Sequence, residues 1–232
     1  MTRSIDLPYE VFRDRDEAGL MLSKRLGAIC TKDSLVLAIP RGGVVIGCKV
    51  AGFFGADLDI ITPRKMGAPG DEELAIGAVV HDDTRFLNRN MILSNGVSTQ
   101  YIKDEASRQA AESRRRLEAY RGGRPYPRIQ GRSVVLVDDG IATGATAIAA
   151  LRWIRANHPS TTIVAAPVIP HELIPVLRGE SDGVESILSP QIMYSIGRFY
   201  RDFKQFGDLE VMRLLRGYWT GHDVGEATRH LS

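Results

Sequence analysis

Two adjacent carboxylates, Asp138 and Asp139, are the side chains of this 232-residue sequence with the clearest capacity for chemistry. They follow the apolar run Val134–Val137, which is typical of a strand buried on both faces. Open α/β sheets place their ligands at the carboxyl ends of such strands. The small and hydroxyl-bearing residues Ala142–Thr146 come next, where a helix is predicted to begin. Free backbone N–H groups and the positive end of a helix dipole suit a phosphate monoester. The stretch therefore predicts a phosphate loop directly after two acids.

The two acids need a different ligand from the loop, because a phosphate would repel them. Vicinal ribose hydroxyls, or a magnesium ion with its waters, are natural partners of two carboxylates. The alternative is that Asp138 and Asp139 only cap a helix after an ordinary strand–helix turn. Two acids followed by Ala-Thr-Gly-Ala-Thr favour the ligand site. The chain has neither the Gly-x-Gly-x-x-Gly of dinucleotide folds nor the Gly-x-x-x-x-Gly-Lys-Ser/Thr of nucleoside triphosphate sites.

Short apolar runs alternate with helical patterns, which predicts an α/β fold with a doubly wound, mostly parallel sheet. The sheet strands are predicted at Ser34–Ile39, Leu58–Thr62, Val134–Val137, Ile163–Val168 and Val184–Leu188. A hairpin is predicted from Leu74–Val80 and Thr84–Leu87, around His81-Asp82-Asp83. Helices are predicted from Val44 to Phe54 and over Ala145–Asn157.

A long helix is predicted over Ser98–Arg121, because small and apolar residues recur there every three or four positions. Its Arg114-Arg115-Arg116 run has two interpretations. It is a site for phosphate or a nucleic acid strand, or a solvated helix face interspersed with acids. The following Gly122–Pro127 holds two glycines and two prolines, which predicts a connector.

Composition excludes several other classes of protein. Lys plus Arg number 30 and Asp plus Glu number 28, so the net charge of +2 gives no electrostatic case for nucleic acid. The start, Met1–Glu10, has no apolar signal core, and no stretch approaches the ~20 apolar residues of a membrane span. Cys30 and Cys48 are too few for a disulfide framework. We expect a cytoplasmic protein with two buried thiols, and neither a membrane nor nucleic acid as partner.

The stretch Val134–Thr146 resembles the signature with which type I phosphoribosyltransferases bind phosphoribosyl pyrophosphate (PRPP). It has the apolar strand, the two acids and the Thr-Gly-x-Thr loop of that signature. Gly140 departs from the pattern, since an apolar residue is usual there. The departure loosens the loop but removes no ligand group.

Two further stretches are similar to the same family. Pro40–Gly43 resembles its pyrophosphate loop, in which Gly42 and Gly43 expose backbone N–H groups and Arg41 adds charge. Pro63–Gly70 resembles the basic strand end and mobile loop of orotate-type members. The three stretches together resemble a poorly characterised bacterial subgroup of the family. The alternatives are a structural role for Arg41, and Arg64 and Lys65 as basic residues decorating a loop mouth. Members often have a cis peptide where this chain has Pro40–Arg41, and an ordinary trans turn is the alternative.

The resemblance implies a role for each segment in an Mg²⁺-assisted transfer. Ala142, Thr143, Gly144, Ala145 and Thr146 would hold the 5′-phosphate of PRPP. Asp138 and Asp139 would hold the ribose hydroxyls and, indirectly, the metal. Arg41, Gly42 and Gly43 would bind pyrophosphate, with Arg64 and Lys65 closing over it. The catalytic set implied is Asp138, Asp139, Arg41 and Lys65.

The acceptor implied by the resemblance is a nitrogenous base or amine. Ala142 and Ala145 replace the acid and the lysine of 6-oxopurine enzymes, which disfavours those purines. The resemblance also predicts a single domain over residues 1–232, with a helical insertion at about 90–125 and a hood and C-terminal region at about 188–232. The base-covering hood would come from Pro190–Phe206. Its four aromatic residues either stack on a ring or pack as core: Phe199, Tyr200, Phe203 and Phe206.

Two other functions fit the same residues. One is a regulator that binds PRPP and has lost catalysis. The other is a phosphoribosyl-binding subunit of a larger assembly, or a homodimer, with interfaces on Ser98–Arg121 and on a C-terminal helix at Asp208–Trp219.

Overall fold

The computed structural model describes the backbone of residues 11–229 and the side chains of residues 11–221. Met1–Glu10, for which the sequence predicts no signal core, lies outside the described residues. So do residues 230–232 of the predicted single domain.

Five short strands form a parallel sheet in the order β2-β1-β6-β7-β8. The pairing along β1 and β6 joins Leu35 to Val134 and Ala38 to Val137, so both strands end at the same edge. This confirms the predicted sheet and its predicted strands to within one or two residues. Their bounds are Leu35–Ala38 (β1), Asp57–Ile60 (β2), Ser133–Val137 (β6), Thr161–Val168 (β7) and Gly183–Leu188 (β8).

Helices cover both faces of this sheet, as a doubly wound α/β fold requires. Alternate residues of the central strands enter two separate apolar clusters, Val135 and Val137 in one and Val134 and Leu136 in the other. The first cluster packs against three helices: Arg15–Leu26 (α1), Gly43–Phe54 (α2) and Asp208–Arg229 (α7). The second packs against Ala145–Ala156 (α5) and Leu173–Glu180 (α6). Helices α1 and α6 are not among the predicted elements, and α7 is ten residues longer than predicted.

A separate three-stranded antiparallel sheet follows β2 in the chain. It consists of Arg64–Ala68 (β3), Asp71–Val79 (β4) and Arg85–Leu87 (β5), so the predicted hairpin is confirmed. The prediction of a loop across Pro63–Gly70 is wrong over Arg64–Ala68, which pairs with β4. The physical reason is that Met66 and Ala68 of β3 are buried in a third apolar cluster.

The long predicted helix is confirmed as Thr99–Arg121 (α4), after a short helix at Arg89–Ser94 (α3). The Ser98 side chain caps its start, and Gly122 ends it with a left-handed φ of 57°. Ala106 and Ala110 pack on β3 and β4, so α4 covers the small sheet. Arg115 and Arg116 both pair with Glu112 of the same helix, which favours the charged-face interpretation of that run.

The hood segment crosses the end of the main sheet as a short 3₁₀ helix, Ile196–Phe199. Phe199 and Tyr200 are buried in the same cluster as α1, so these two aromatic residues pack as core. Cys30 is buried and Cys48 half-buried, and neither is in a disulfide. Among the described helices, none combines the length and apolarity of a membrane-crossing segment.

Candidate active site

The predicted phosphate loop joins β6 to α5 at the carboxyl edge of the main sheet. Its start is anchored by Ile141, whose N–H donates to the Val168 carbonyl of β7 at 3.0 Å. Ala142 and Thr143 are exposed, and Gly144 turns the chain with a φ of 77°. No side chain caps α5 at its first residue, Ala145. The first N–H groups of the helix are thus positioned to bind an anion.

The two acids at the end of β6 occupy different environments. Asp138 is half-buried, and its Oδ1 accepts the Asp139 N–H at 2.8 Å. Burial, followed by the neighbouring Asp139 carboxyl, raises the pKa of Asp138 well above its usual range. Asp139 is 8% exposed, and its Oδ2 lies 2.6 Å from both Nε and Nη2 of Arg15. One acid is therefore neutralised by a buried cation, while the other is not.

The predicted pyrophosphate loop lies directly against this acid pair. A Cβ on Gly42 would lie 1.9 Å from the Asp139 Oδ2, and one on Gly43 would lie 2.9 Å from the Asp138 Cα. Only glycine permits that approach. Arg41 is partly exposed, with Nη1 3.7 Å from the Asp208 Oδ1, and the Pro40–Arg41 peptide is cis. The structure thus brings together two of the three segments predicted to form the site.

The third segment has other described contacts. Arg64 and Lys65 are neighbours on β3 and therefore point to opposite faces of the small sheet. The Arg64 Nε donates to the Gln109 Oε1 of α4 at 3.2 Å, and the Lys65 Nζ donates to the Glu73 Oε2 of β4 at 2.9 Å. Their closing over pyrophosphate stays a prediction.

The hood is fastened to the acid motif by two contacts. The Tyr200 hydroxyl donates to the Asp139 carbonyl at 2.6 Å. Ile196 fills the space beside Gly140, where an added Cβ would lie 2.6 Å from the Ile196 Cγ2. This explains the departure at Gly140, because the hood supplies the apolar group that the motif lacks. The expectation that the departure loosens the loop is therefore wrong.

Arg15 is the site residue that sequence reasoning missed. It is the first residue of α1, whose N-cap Asp14 accepts the Glu17 N–H at 2.8 Å. An acid followed three residues later by glutamate is a recognisable helix start and could have revealed α1. No local pattern could have paired Arg15 with an acid 124 residues away.

The sequence profile of the phosphoribosyl transferase domain matches residues 16–174, more than half of the chain. The chain belongs to the phosphoribosyl transferase family. The matched span contains the acid pair, the phosphate loop and the glycine turn at Gly42–Gly43.

Relatives and a solved structure agree with this membership. Two Mycobacterium tuberculosis proteins, from strains CDC 1551 / Oshkosh and ATCC 25618 / H37Rv, are named "Putative phosphoribosyl transferase" and are 37% identical over 206 residues. The match covers 89% of this chain and 46% of theirs, so the chain spans about half the length of these relatives. The crystal structure of TT1426 from Thermus thermophilus is 38% identical with a TM-score of 0.75, covering 90% of this chain and 99% of that one.

Proposed function

We propose that the protein transfers the 5-phosphoribosyl group of PRPP to a nitrogenous base or amine and releases pyrophosphate. The observation that carries this proposal is the junction of three features at one sheet edge. These are an uncapped helix start at Ala145, the acid pair at Asp138 and Asp139, and the glycine turn at Gly42–Gly43. A phosphate, a ribose and a pyrophosphate are the three parts of PRPP, and each part matches one feature.

The chain's own residues contribute positioning and electrostatics in this proposal. Backbone N–H groups and hydroxyls of Ala142–Thr146 hold the 5′-phosphate. Asp138 and Asp139 orient the ribose hydroxyls, while Arg41, Gly42 and Gly43 receive the departing pyrophosphate. Holding reactants in one geometry contributes about 7–11 kcal/mol to lowering a barrier.

The residues present fit a magnesium ion that arrives with its substrate. Mg²⁺ in phosphate chemistry keeps several waters and takes one or two carboxylates together with substrate phosphates. Asp138 and Asp139 supply carboxylates at the place where PRPP would lie. When bound, the ion would neutralise charge on pyrophosphate.

The acceptor is the open part of this proposal. Ala142 and Ala145 carry no acid or ammonium group, so a 6-oxopurine would lack a general base beside its ring. The direct experiment incubates the protein with PRPP, Mg²⁺ and a panel of nucleobases and simple amines, with products identified by mass spectrometry. Pyrophosphate release that depends on one acceptor supports the proposal. PRPP binding without release under any acceptor would instead favour a non-catalytic PRPP-binding regulator.

A matched prediction tests the assigned site. Asp138→Asn should weaken PRPP binding in Mg²⁺ by about 10- to 100-fold, the usual effect of losing a group that orients a metal or ligand. Stability should hold or rise, because the buried carboxyl already favours its neutral form. Calorimetric titration measures the affinity, and urea unfolding measures the stability. Unchanged PRPP affinity would remove Asp138 from the site.

A further inference from the structure

We infer that Arg15 is a positioning residue, which fixes the Asp139 carboxylate and joins the hood to the PRPP site. This inference rests on the proposed function. The family match begins at residue 16, so Arg15 lies just outside it.

Arg15 uses all of its guanidinium nitrogens inside the protein. Nε and Nη2 both lie 2.6 Å from the Asp139 Oδ2, and Nη1 donates to the Lys204 carbonyl at 2.7 Å. The side chain is 6% exposed. A guanidinium that is fully engaged and buried holds its partner in one rotamer, because any rotation breaks several hydrogen bonds at once.

The hood supplies the surface against which the guanidinium packs. The Phe203 ring centroid lies 3.9 Å from the Arg15 Cζ, and the Phe206 and Tyr200 rings lie at 5.4 and 5.7 Å. A desolvated cation over aromatic faces is favourable. The hood aromatic residues thus hold Arg15, and Arg15 holds Asp139.

The pyrophosphate turn meets the same group. The position that a Gly42 Cβ would occupy lies 2.7 Å from the Arg15 Nε. Arg15 therefore contacts the acid motif, the glycine turn and the hood, three segments far apart in the chain. It engages one oxygen of Asp139 and leaves the other outside the ion pair. Its effect on PRPP should act through the orientation of Asp139.

The test compares two ligands that need different parts of the site. PRPP requires the acid pair, whereas inorganic phosphate requires only the loop Ala142–Thr146. Arg15→Met removes the cation and keeps the length of the side chain. Arg15→Lys keeps the charge but offers one nitrogen in place of three. Arg25→Met is the matched control, since Arg25 lies on the same helix in an exposed pair with Glu185.

We expect Arg15→Met to bind PRPP about 10- to 100-fold more weakly, Arg15→Lys to lie between it and the natural protein, and Arg25→Met to be unchanged. Phosphate affinity should be equal in all four proteins. Titrations are made well below each thermal midpoint, which is measured separately. Should Arg15→Met not fold because Asp139 is left unpaired, Arg15→Lys and Phe203→Leu still test the inference. Phe203→Leu keeps the ion pair but removes the stacked ring, and it too should weaken PRPP alone.

Equal PRPP affinity in the folded Arg15 variants would overturn the inference while leaving the proposed function standing. A parallel loss of phosphate and PRPP affinity would also overturn it, because that pattern means general damage to the site. Failure of the natural protein to bind PRPP would overturn the proposed function, and the inference with it.

Discussion

Gly144 holds the phosphate loop in a backbone conformation that other residues adopt at a cost. Its φ is 77°, where an L side chain costs about 1–2 kcal/mol. A Cβ there would meet Leu173 only at 3.6 Å, an ordinary contact. The cost of a substitution is therefore conformational rather than steric.

Gly144→Ala should destabilise the protein by about 1–2 kcal/mol and weaken PRPP binding at least roughly tenfold, because relaxation of the turn moves the N–H groups. Gly131 is a matched control, since it has the same φ of 77° with open space around its Cβ. Gly131→Ala should lose similar stability and retain full PRPP affinity. Urea unfolding and calorimetric titration measure the two quantities. If both variants lost affinity equally, Gly144 would have no special role at the ligand.

The hood depends on a single shared volume between two elements. Gly140 follows β6, and Ile196 opens the 3₁₀ helix of the hood, with only 2.6 Å between the Ile196 Cγ2 and an added Cβ. Overpacking of this kind costs about 1–3 kcal/mol.

Gly140→Ala should therefore destabilise the protein by about that amount, and Ile196→Ala should relieve it. In a double-mutant cycle by urea unfolding, we expect a coupling of about 0.5–3 kcal/mol, with the double variant more stable than the sum predicts. Additive effects would show that the two positions do not share space.

Local pattern explains which elements the sequence reveals. Strands β1 and β6 are uninterrupted apolar runs, and α4 repeats small residues at helical spacing, so each was predictable. Strand β3 was not, because Arg64 and Lys65 are typical of a loop, and only packing on α4 makes that segment a strand.

The acid pair and the phosphate loop were predictable because they are contiguous, and they now stand as a described structural unit. The partners of Asp139 were not predictable, because Arg15 and Tyr200 reach it from other ends of the chain.

The pH dependence of the whole molecule should report on Asp59 in the edge strand β2. Its carboxyl is buried, with Oδ2 3.1 Å from the Arg121 Nη2. Burial raises the pKa of Asp59 to about 6, although Arg121 opposes that shift. A carboxyl with a raised folded-state pKa contributes stability at low pH that is lost as pH rises through about 6.

Asp59→Asn should therefore gain stability relative to the natural protein as pH rises from about 4 to about 7, by on the order of 3 kcal/mol. Urea unfolding at several pH values measures this. Asp57→Asn is the control, because Asp57 is half-exposed and paired with Arg132. Parallel stability curves for the Asp59 variant and the natural protein would contradict the assignment.

Where the hood and Arg15 lie along the chain has a consequence for dissecting this protein. The region shared with the family ends at residue 174, yet Asp139 is held by groups from Arg15, Tyr200 and Lys204. A fragment cut to the shared boundaries would keep both acids and the loop and lose these supports. Asp139 would then face α2 as a charge without its cation. The smallest autonomous unit that can assemble the site is thus longer, at both ends, than the region that similarity delimits.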